Sequence, residues 1–118
     1  MKPKKWNFNK HRTQVSVKLR DLLNNTQYQI ENQVFNQDEL TVRFHHQLVL
    51  IHSFPNGNGR HARLMADLLI MRLGGPRLTW GGTSASLISV ATIREKYLAA
   101  LRAADQGQIE GLLAFARS

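Results

Sequence analysis

The chain has 118 residues, of which 42% are hydrophobic, a formal net charge of +8 and no cysteine. This length supports one small domain with a single core, and the composition excludes a disordered chain, a disulfide framework and a thiolate metal site. No apolar run is long enough to cross a bilayer and no signal segment opens the chain, so we expect a cytoplasmic protein without membrane contact. The positive charge attracts nucleotides, nucleic acids or acidic protein surfaces without choosing among them.

The N-terminal segment, residues 1–14, shows no helical period and carries Trp6 and Phe8 on alternate positions. This pattern is typical of a short extended segment or of a frayed tail. Residues 15–118 contain five or six segments with a helical period, no convincing strand pattern and no internal repeat. The sequence therefore predicts a single all-α domain, a helical bundle preceded by an extended segment.

The first two helices have recognisable starts. Ser16 predicts the N-cap of a helix over about Val17–Asn32. Asn36 and Glu39 fit a capping box, so a second helix should run from Gln37 to about Ile51. The apolar stripe of this second helix consists of Leu40, Val42, Phe44, Leu48, Val49, Leu50 and Ile51. Because the stripe is so wide, we expect the second helix at the centre of the core.

A third helix is predicted from about Asn58 to Leu73, because Gly74 and the Gly-Pro pair after it stop the helix. Its core side should carry Leu64, Leu68 and Met71, with Met65, Leu69 and Ile70 beside them. Asp67 follows Arg63 by four residues. An ion pair between these two side chains is therefore the ordinary alternative to a functional role for Arg63.

Three further helices are predicted in the C-terminal part. The first is a short helix over Ser84–Val90, the second runs from Ile93 to about Ala104 after a capping box that starts at Thr92, and the third is a short amphipathic helix over Gln108–Arg117. Trp80, in the glycine-rich connection before them, is expected to fill the core rather than to cover a ligand.

The most polar segment lies between the second and third helices, at residues 51–63, IHSFPNGNGRHAR. Its two glycines can adopt positive φ, so backbone N–H groups can converge where the third helix directs the positive end of its dipole. Arg60 and Arg63 share one face of the first helical turn, where they can hold phosphate oxygens. His52 precedes the turn and is a candidate general base, with capping of the second helix as its alternative role. The segment predicts group transfer at a bound phosphate.

These residues resemble the signature of the Fic family: His-Pro-Phe, a variable residue, an acidic residue, Gly-Asn-Gly-Arg, two variable residues and Arg. The matching residues are His52, Phe54, Gly57, Asn58, Gly59, Arg60 and Arg63. The surrounding sequence is similar to the branch called mobile mystery protein B. The resemblance implies a Fic-type helical bundle that transfers AMP from ATP to a hydroxyl of a target protein.

The resemblance also implies a role for each matched position. His52 would be the general base, Arg63 would hold the terminal phosphate, and the α and β phosphates would be held by Gly57, Asn58, Gly59 and Arg60. Two positions depart from the signature, because Ser53 replaces proline and Asn56 replaces the acidic residue that coordinates magnesium in the family. An amide oxygen brings no charge, so we expect Mg²⁺ to be held weakly by Asn56, or through water. A weakly active or inactive nucleotide-binding regulator is therefore an alternative function.

The kind of group transferred stays open. The Gly-Asn-Gly form of the motif favours AMP transfer over the Doc-type kinases, whereas transfer of UMP or of phosphate depends on how the nucleotide lies. In Fic proteins a flap hairpin docks the target as an added strand, and Trp6, Asn7, Phe8 and Asn9 stand where that flap would fall. The family's helix ahead of the flap is missing, so we expect a shortened member or a fragment.

Control of the activity is expected from outside this sequence. Residues 106–111, QGQIEG, approach the inhibitory motif of the family, but their glycines make a poor helix. We therefore expect an antitoxin-like inhibitor protein, or sequence beyond this chain, to restrain activity.

The histidines and arginines of the sequence also allow two other interpretations, a zinc site and a DNA-binding module. His45 and His46 lack the spacing and the acidic partners of a zinc site and are expected to be core residues. A helix-turn-helix DNA-binding module would use Arg60, His61 and Arg63 at the start of a recognition helix. Nucleic acid is an unlikely partner, because groove reading does not need the two glycines and the third helix looks too apolar to lie open in a groove.

Overall fold

A computed structural model describes residues 8–51, 58–82 and 89–118 of the chain. The described residues form five helices and no strand. The helices are α1 (Phe8–Glu31), α2 (Gln37–Ile51), α3 (Asn58–Arg72), α4 (Val90–Asp105) and α5 (Glu110–Ala116). None of them combines the length and the apolar character that a membrane span requires. The predicted all-α bundle is confirmed.

α2 lies at the centre of the bundle, in contact with α1, α3 and α5. Leu40, Val42, Phe44 and Leu48 are buried as predicted, whereas Leu50 is 45% exposed. Val42 belongs to one core cluster, which α2 shares with α3, α4, α5 and the connection after α3. Phe44 and Leu48 belong to a second cluster, against which side chains of α1 and α3 pack. The central helix therefore separates two parts of the core.

α1 begins at Phe8, so the extended segment expected over residues 1–14 is wrong from Phe8 onward. Trp6 and Asn7 lie outside the described residues. Ser16 is exposed inside the helix and does not cap it. No proline or glycine interrupts the chain between Pro3 and Pro55, so nothing in the local sequence stops the helix from extending toward its N-terminus.

The face of α1 that packs on the core follows a helical period that starts before Ser16. The half-buried or buried residues along this face recur at helical spacing and are Val15, Leu19, Leu22, Thr26, Gln29 and Ile30. Leu19 and Leu22 pack against the cluster of Phe44. From residue 12 onward, where burial is described, the first residue of this face is Val15, one residue before the N-cap that Ser16 suggested.

α2 begins with the predicted side-chain cap, and α4 begins with a cap that was not predicted. Asn36 caps α2 as expected, because its Oδ1 accepts a hydrogen bond from the backbone N–H of Glu39 at 2.8 Å. α4 begins one turn earlier than predicted, because Ser89, rather than Thr92, is its N-cap and accepts from the backbone N–H of Thr92 at 3.1 Å. Most of the short helix predicted over Ser84–Val90 falls on residues 83–88, which lie outside the described residues.

α3 buries Ile70 and half-buries Met65 and Leu69, as predicted, but the three residues expected to lead its core side are exposed. Its exposed apolar side chains are Leu64 (53%), Leu68 (53%) and Met71 (55%). Its buried side chains are Ala62, Ala66, Asp67 and Ile70. Alanines allow a close approach of two helix backbones, and hydrophobicity alone does not choose between two apolar faces.

Candidate active site

The first turn of α3 faces α4 across a cleft of about 680 Å³. The polar lining residues are Asn58, Gly59, Arg60 and Arg63 from α3, with Arg94 and Tyr97 from α4. The apolar lining residues are Val49, Trp80, Val90, Ile93, Leu98, Leu101 and Phe115. The described lining thus combines three arginines with the N-terminal end of a helix and contains no carboxylate. This combination suits an anion that carries an apolar group.

Four of the predicted phosphate-binding residues meet at this cleft: Asn58, Gly59, Arg60 and Arg63. His52, Asn56 and Gly57 lie in residues 52–57, outside the described residues, so their roles stay predictions. Of the residues proposed to dock the target, Trp6 and Asn7 lie outside the described residues and Phe8 and Asn9 lie in the first turn of α1, so target docking by this segment stays a prediction.

Gly59 is needed for a different reason than predicted. It lies in α3, and the glycines with positive φ among the described residues are elsewhere in the chain. A Cβ atom at Gly59 would lie 3.3 Å from Arg63 Nη1 and 3.5 Å from the hydroxyl oxygen of Tyr97. The missing side chain therefore allows two polar groups to pack against the first turn of α3, and the glycine serves a close approach rather than a left-handed turn.

Arg63 lies over an aromatic ring of the opposite helix. Its Cζ is 4.9 Å from the centroid of the Tyr97 ring, and the Tyr97 hydroxyl is 2.8 Å from Nε2 of His45 on α2. Burial raises the pKa of Tyr97, an effect that the charge of Arg63 partly offsets. Burial also lowers the pKa of His45 to about 4. Tyr97 and His45 are thus neutral near pH 7, and Arg63 supplies the charge of this cluster.

The ion pair considered between Arg63 and Asp67 does not form. Asp67 is buried and accepts a hydrogen bond from Nε1 of Trp80 at 3.0 Å and from Nε of Arg77 at 3.3 Å. These contacts hold Trp80, at φ +51, where its ring lies 4.5 Å from that of His45. Trp80 therefore packs on the core, as predicted, and also lines the cleft.

Two lining residues were missed by sequence reasoning, Tyr97 and Arg94. A tyrosine on the inner face of an amphipathic helix needs a partner for its hydroxyl, and that requirement was the available signal for Tyr97. Arg94 precedes Tyr97 by three residues and so shares its side of α4. Neither residue lies near the glycine-rich motif in sequence, so no local spacing points to them.

The described residues contain no group of three histidine, aspartate or glutamate side chains that could hold a metal ion. The two core histidines make polar contacts with residues of α4, since His46 Nε2 lies 2.7 Å from Asp105 Oδ1 and His45 Nε2 lies 2.8 Å from the Tyr97 hydroxyl. The described wall of the cleft fits phosphate oxygens and offers no carboxylate ligand to a hard cation. Magnesium binding through Asn56 and the nucleotide phosphates stays a prediction.

The model of the Fic/DOC family matches residues 8–70, which is more than half of the 118-residue chain. The chain belongs to the Fic/DOC family. The matched range contains α1, α2, most of α3 and the whole motif from His52 to Arg63. Arg94 and Tyr97, which line the cleft from α4, lie beyond the matched range.

Several relatives of this Fic/DOC chain carry the name protein adenylyltransferase. Protein adenylyltransferase fic-1 of Caenorhabditis elegans is 40% identical over 65 residues, which are 55% of this chain and 11% of that protein. Protein adenylyltransferase Fic of Aedes aegypti is 33% identical over 82 residues, 70% of this chain and 15% of that protein. A probable protein adenylyltransferase of Aquifex aeolicus is 36% identical over 70 residues, 58% of this chain and 18% of that protein.

The chain therefore spans less than a fifth of the length of these three relatives. No solved structure matches the chain. The similarity to the mobile mystery protein B branch stays a prediction.

Proposed function

We propose that this Fic/DOC chain is a protein adenylyltransferase, which transfers AMP from ATP to a Ser, Thr or Tyr hydroxyl of a target protein. One observation carries the proposal: the first turn of α3 and the side chains of Arg60 and Arg63 line one cleft without any carboxylate among the described lining residues. The names of the matched relatives support the choice of reaction.

In the proposed reaction, the target hydroxyl oxygen bonds to the α-phosphorus of ATP while the bond from that phosphorus to the bridging oxygen breaks. AMP is then joined to the target and pyrophosphate leaves. His52 accepts the hydroxyl proton as general base. Backbone N–H groups of residues 57–60 and the Arg60 guanidinium orient the α and β phosphates, and Arg63 holds the terminal phosphate. Magnesium, when bound with ATP, neutralises part of the triphosphate charge.

The α4 side of the cleft gives the nucleotide a second wall. Arg94 adds a positive charge across from Arg60 and Arg63, and the apolar lining includes Trp80 and Phe115. Because a nucleotide has an apolar base at one end and phosphates at the other, this division of the lining suits it better than it suits inorganic phosphate.

Transfer of label from ATP tests the proposal. The wild-type chain, His52→Ala and Asn56→Asp are incubated with magnesium, α-labelled ATP and a cell lysate. We expect labelled protein with the wild type, a loss of at least about a hundredfold with His52→Ala, and more label with Asn56→Asp, because a carboxylate binds magnesium more strongly than an amide. Unchanged ATP binding by His52→Ala is the control for an intact fold.

The other outcomes identify the alternative functions. ATP binding without transfer, even in Asn56→Asp, would leave a nucleotide-binding regulator. Salt-dependent binding to duplex DNA without an effect of nucleotide would favour the DNA-binding module. Label from α-labelled UTP or γ-labelled ATP, in place of α-labelled ATP, would change the transferred group to UMP or phosphate.

The partners of the reaction also belong to this proposal. We propose an unidentified target protein in the cytoplasm and control by an antitoxin-like inhibitor protein. Residues 106–111 offer no inhibitory helix, because they span the turn after α4 and only the first two residues of α5, where Glu110 is exposed.

A further inference from the structure

The guanidinium of Arg63 is held by an aromatic ring from outside the motif. Its Cζ lies 4.9 Å from the centroid of the Tyr97 ring, a geometry in which the ring quadrupole attracts the cation. We propose that Tyr97 is a positioning residue, which orients Arg63 so that the N–H groups not engaged by Tyr97 face the terminal phosphate of ATP in the cleft. This inference rests on the proposed function, which assigns that phosphate to Arg63.

The Tyr97 ring is itself fixed in place. It is 7% exposed, its hydroxyl lies 2.8 Å from Nε2 of His45, and the Phe115 ring lies 5.5 Å away on α5. His45 is fully buried and packs on Trp80. Because neighbours from α2 and α5 hold the Tyr97 ring, the ring cannot turn away from Arg63. The aromatic face on which the guanidinium lies is therefore fixed before any nucleotide binds.

Gly59 lies next to both Arg63 and Tyr97. A Cβ at this position would lie 3.3 Å from Arg63 Nη1, tighter than an ordinary contact. The first turn of α3 thus packs directly on the guanidinium, which is held between its own helix and the Tyr97 ring. A long flexible side chain that is held on two sides loses less conformational entropy when it binds phosphate.

The charge of Arg63 is also left for a ligand. Asp67, the acidic residue nearest to Arg63 in the sequence, instead accepts hydrogen bonds from Trp80 and Arg77. The neutral Tyr97–His45 pair does not compensate the guanidinium charge, and the described lining of the cleft contains no carboxylate. The packing therefore holds a positive charge in a fixed place without an acidic partner among the described residues, as phosphate recognition requires.

Nucleotide binding by a matched set of variants tests the role of Tyr97. The dissociation constants of ATP and ADP are measured for the wild type, Tyr97→Leu, Tyr97→Phe, Arg63→Ala and the Arg63→Ala/Tyr97→Leu pair. We expect Tyr97→Leu to weaken ATP about tenfold and ADP less than about twofold, because only ATP has the terminal phosphate. Tyr97→Phe keeps the ring and should restore ATP affinity to within about threefold of the wild type.

The double variant separates positioning from a structural role. If Tyr97 acts through Arg63, the pair should bind ATP no more weakly than Arg63→Ala alone. Equal weakening of ATP and ADP by Tyr97→Leu, or full additivity in the pair, would overturn the proposal. Should Tyr97→Leu fail to fold, Tyr97→Met offers a longer, more adaptable side chain without an aromatic face and is expected to show the same selective loss of ATP affinity.

A measurement without nucleotide completes the test. In NMR spectra of the free protein, the ring current of Tyr97 should shift the side-chain protons of Arg63, and the shift should persist in Tyr97→Phe and vanish in Tyr97→Leu or Tyr97→Met. Absence of that shift in the wild type, or of any ATP binding, overturns the inference. ATP binding that depends on Arg63 and Tyr97 but gives no label transfer would instead refute the proposed adenylyl transfer and leave this inference standing.

Discussion

His45 shows how the surroundings of one residue decide its chemistry. The ring is fully buried between the hydroxyl of Tyr97 and the ring of Trp80. Burial disfavours the imidazolium, because a charged ring loses its hydration, and the pKa falls to about 4. A neutral His45 can support Tyr97 without placing a second positive charge beside Arg63.

This burial predicts how stability depends on pH. The ordinary pKa of histidine, 6.5, applies to the unfolded chain, so between pH 6.5 and about 4 the unfolded state binds a proton that the folded state does not. The contribution of neutral His45 is therefore complete above pH 6.5. As the pH falls, the free energy of unfolding should decrease by about 1.4 kcal/mol per pH unit.

Urea unfolding of the wild type and His45→Gln between pH 4 and pH 7.5 measures this slope. Glutamine can still bond to the Tyr97 hydroxyl but does not titrate, so the part of the slope due to His45 should disappear. Equal slopes in the two proteins would contradict the assignment of His45 as a buried neutral ring.

At the scale of the helices, the two well-defined N-caps differ in how visible they are in the sequence. Asn36 stands directly before an apolar period and caps α2, as the local pattern indicated. Ser89 caps α4 although a capping box at Thr92 looked stronger in the sequence. Ser16 looked like a cap and lies inside α1. Capping patterns identify candidates, but the packing of the whole helix decides which candidate is used.

Substitution of the two serines should give opposite results. Ser89→Ala removes the acceptor for the backbone N–H of Thr92 and is expected to lower the free energy of unfolding by about 1 kcal/mol. Ser16→Ala, at an exposed position inside α1, is the matched control and should change it by less than about 0.5 kcal/mol, toward higher stability. Chemical denaturation of both variants makes the comparison, and a larger loss in Ser16→Ala would contradict the observed helix starts.

At the scale of the whole molecule, Arg117 ties the C-terminus to two distant parts of the chain. Its Nε donates to Asp38 Oδ2 at 2.9 Å, in the first turn of α2. Its Nη1 donates to the carbonyl oxygens of Pro76 at 2.7 Å and Arg77 at 3.1 Å. The hydrogen bond from Arg117 lowers the pKa of Asp38. One guanidinium thus joins the start of α2, the connection after α3 and the end of α5.

Arg117→Ala is expected to lower the free energy of unfolding by about 1 kcal/mol at neutral pH, a value reduced for the solvent exposure of the pair. Because the folded pKa of Asp38 is depressed, the contribution is complete above the ordinary value of 3.8 and is lost as the pH falls through the lower folded value. Thermal or urea unfolding should therefore show a difference between wild type and variant that shrinks below pH 3.8. In an Asp38→Asn background the difference should not vary with pH in this range.

The sequence by itself determined the class of fold, the extent of α2 and nearly all of α3, and four residues of the cleft wall. These features depend on neighbours in the chain: apolar period and capping set α2, and Asn58, Gly59, Arg60 and Arg63 share the first turns of one helix. The family motif is likewise a local pattern, because all its residues lie within one short segment of the chain.

Only the tertiary structure decided which face of α3 is buried, which side chains approach Gly59 closely, and what stands opposite the motif. His45 and Tyr97 are 52 residues apart in the chain and meet only because α2 and α4 pack together. Such contacts depend on how side chains of different helices fill a shared volume, and no local period or spacing encodes that.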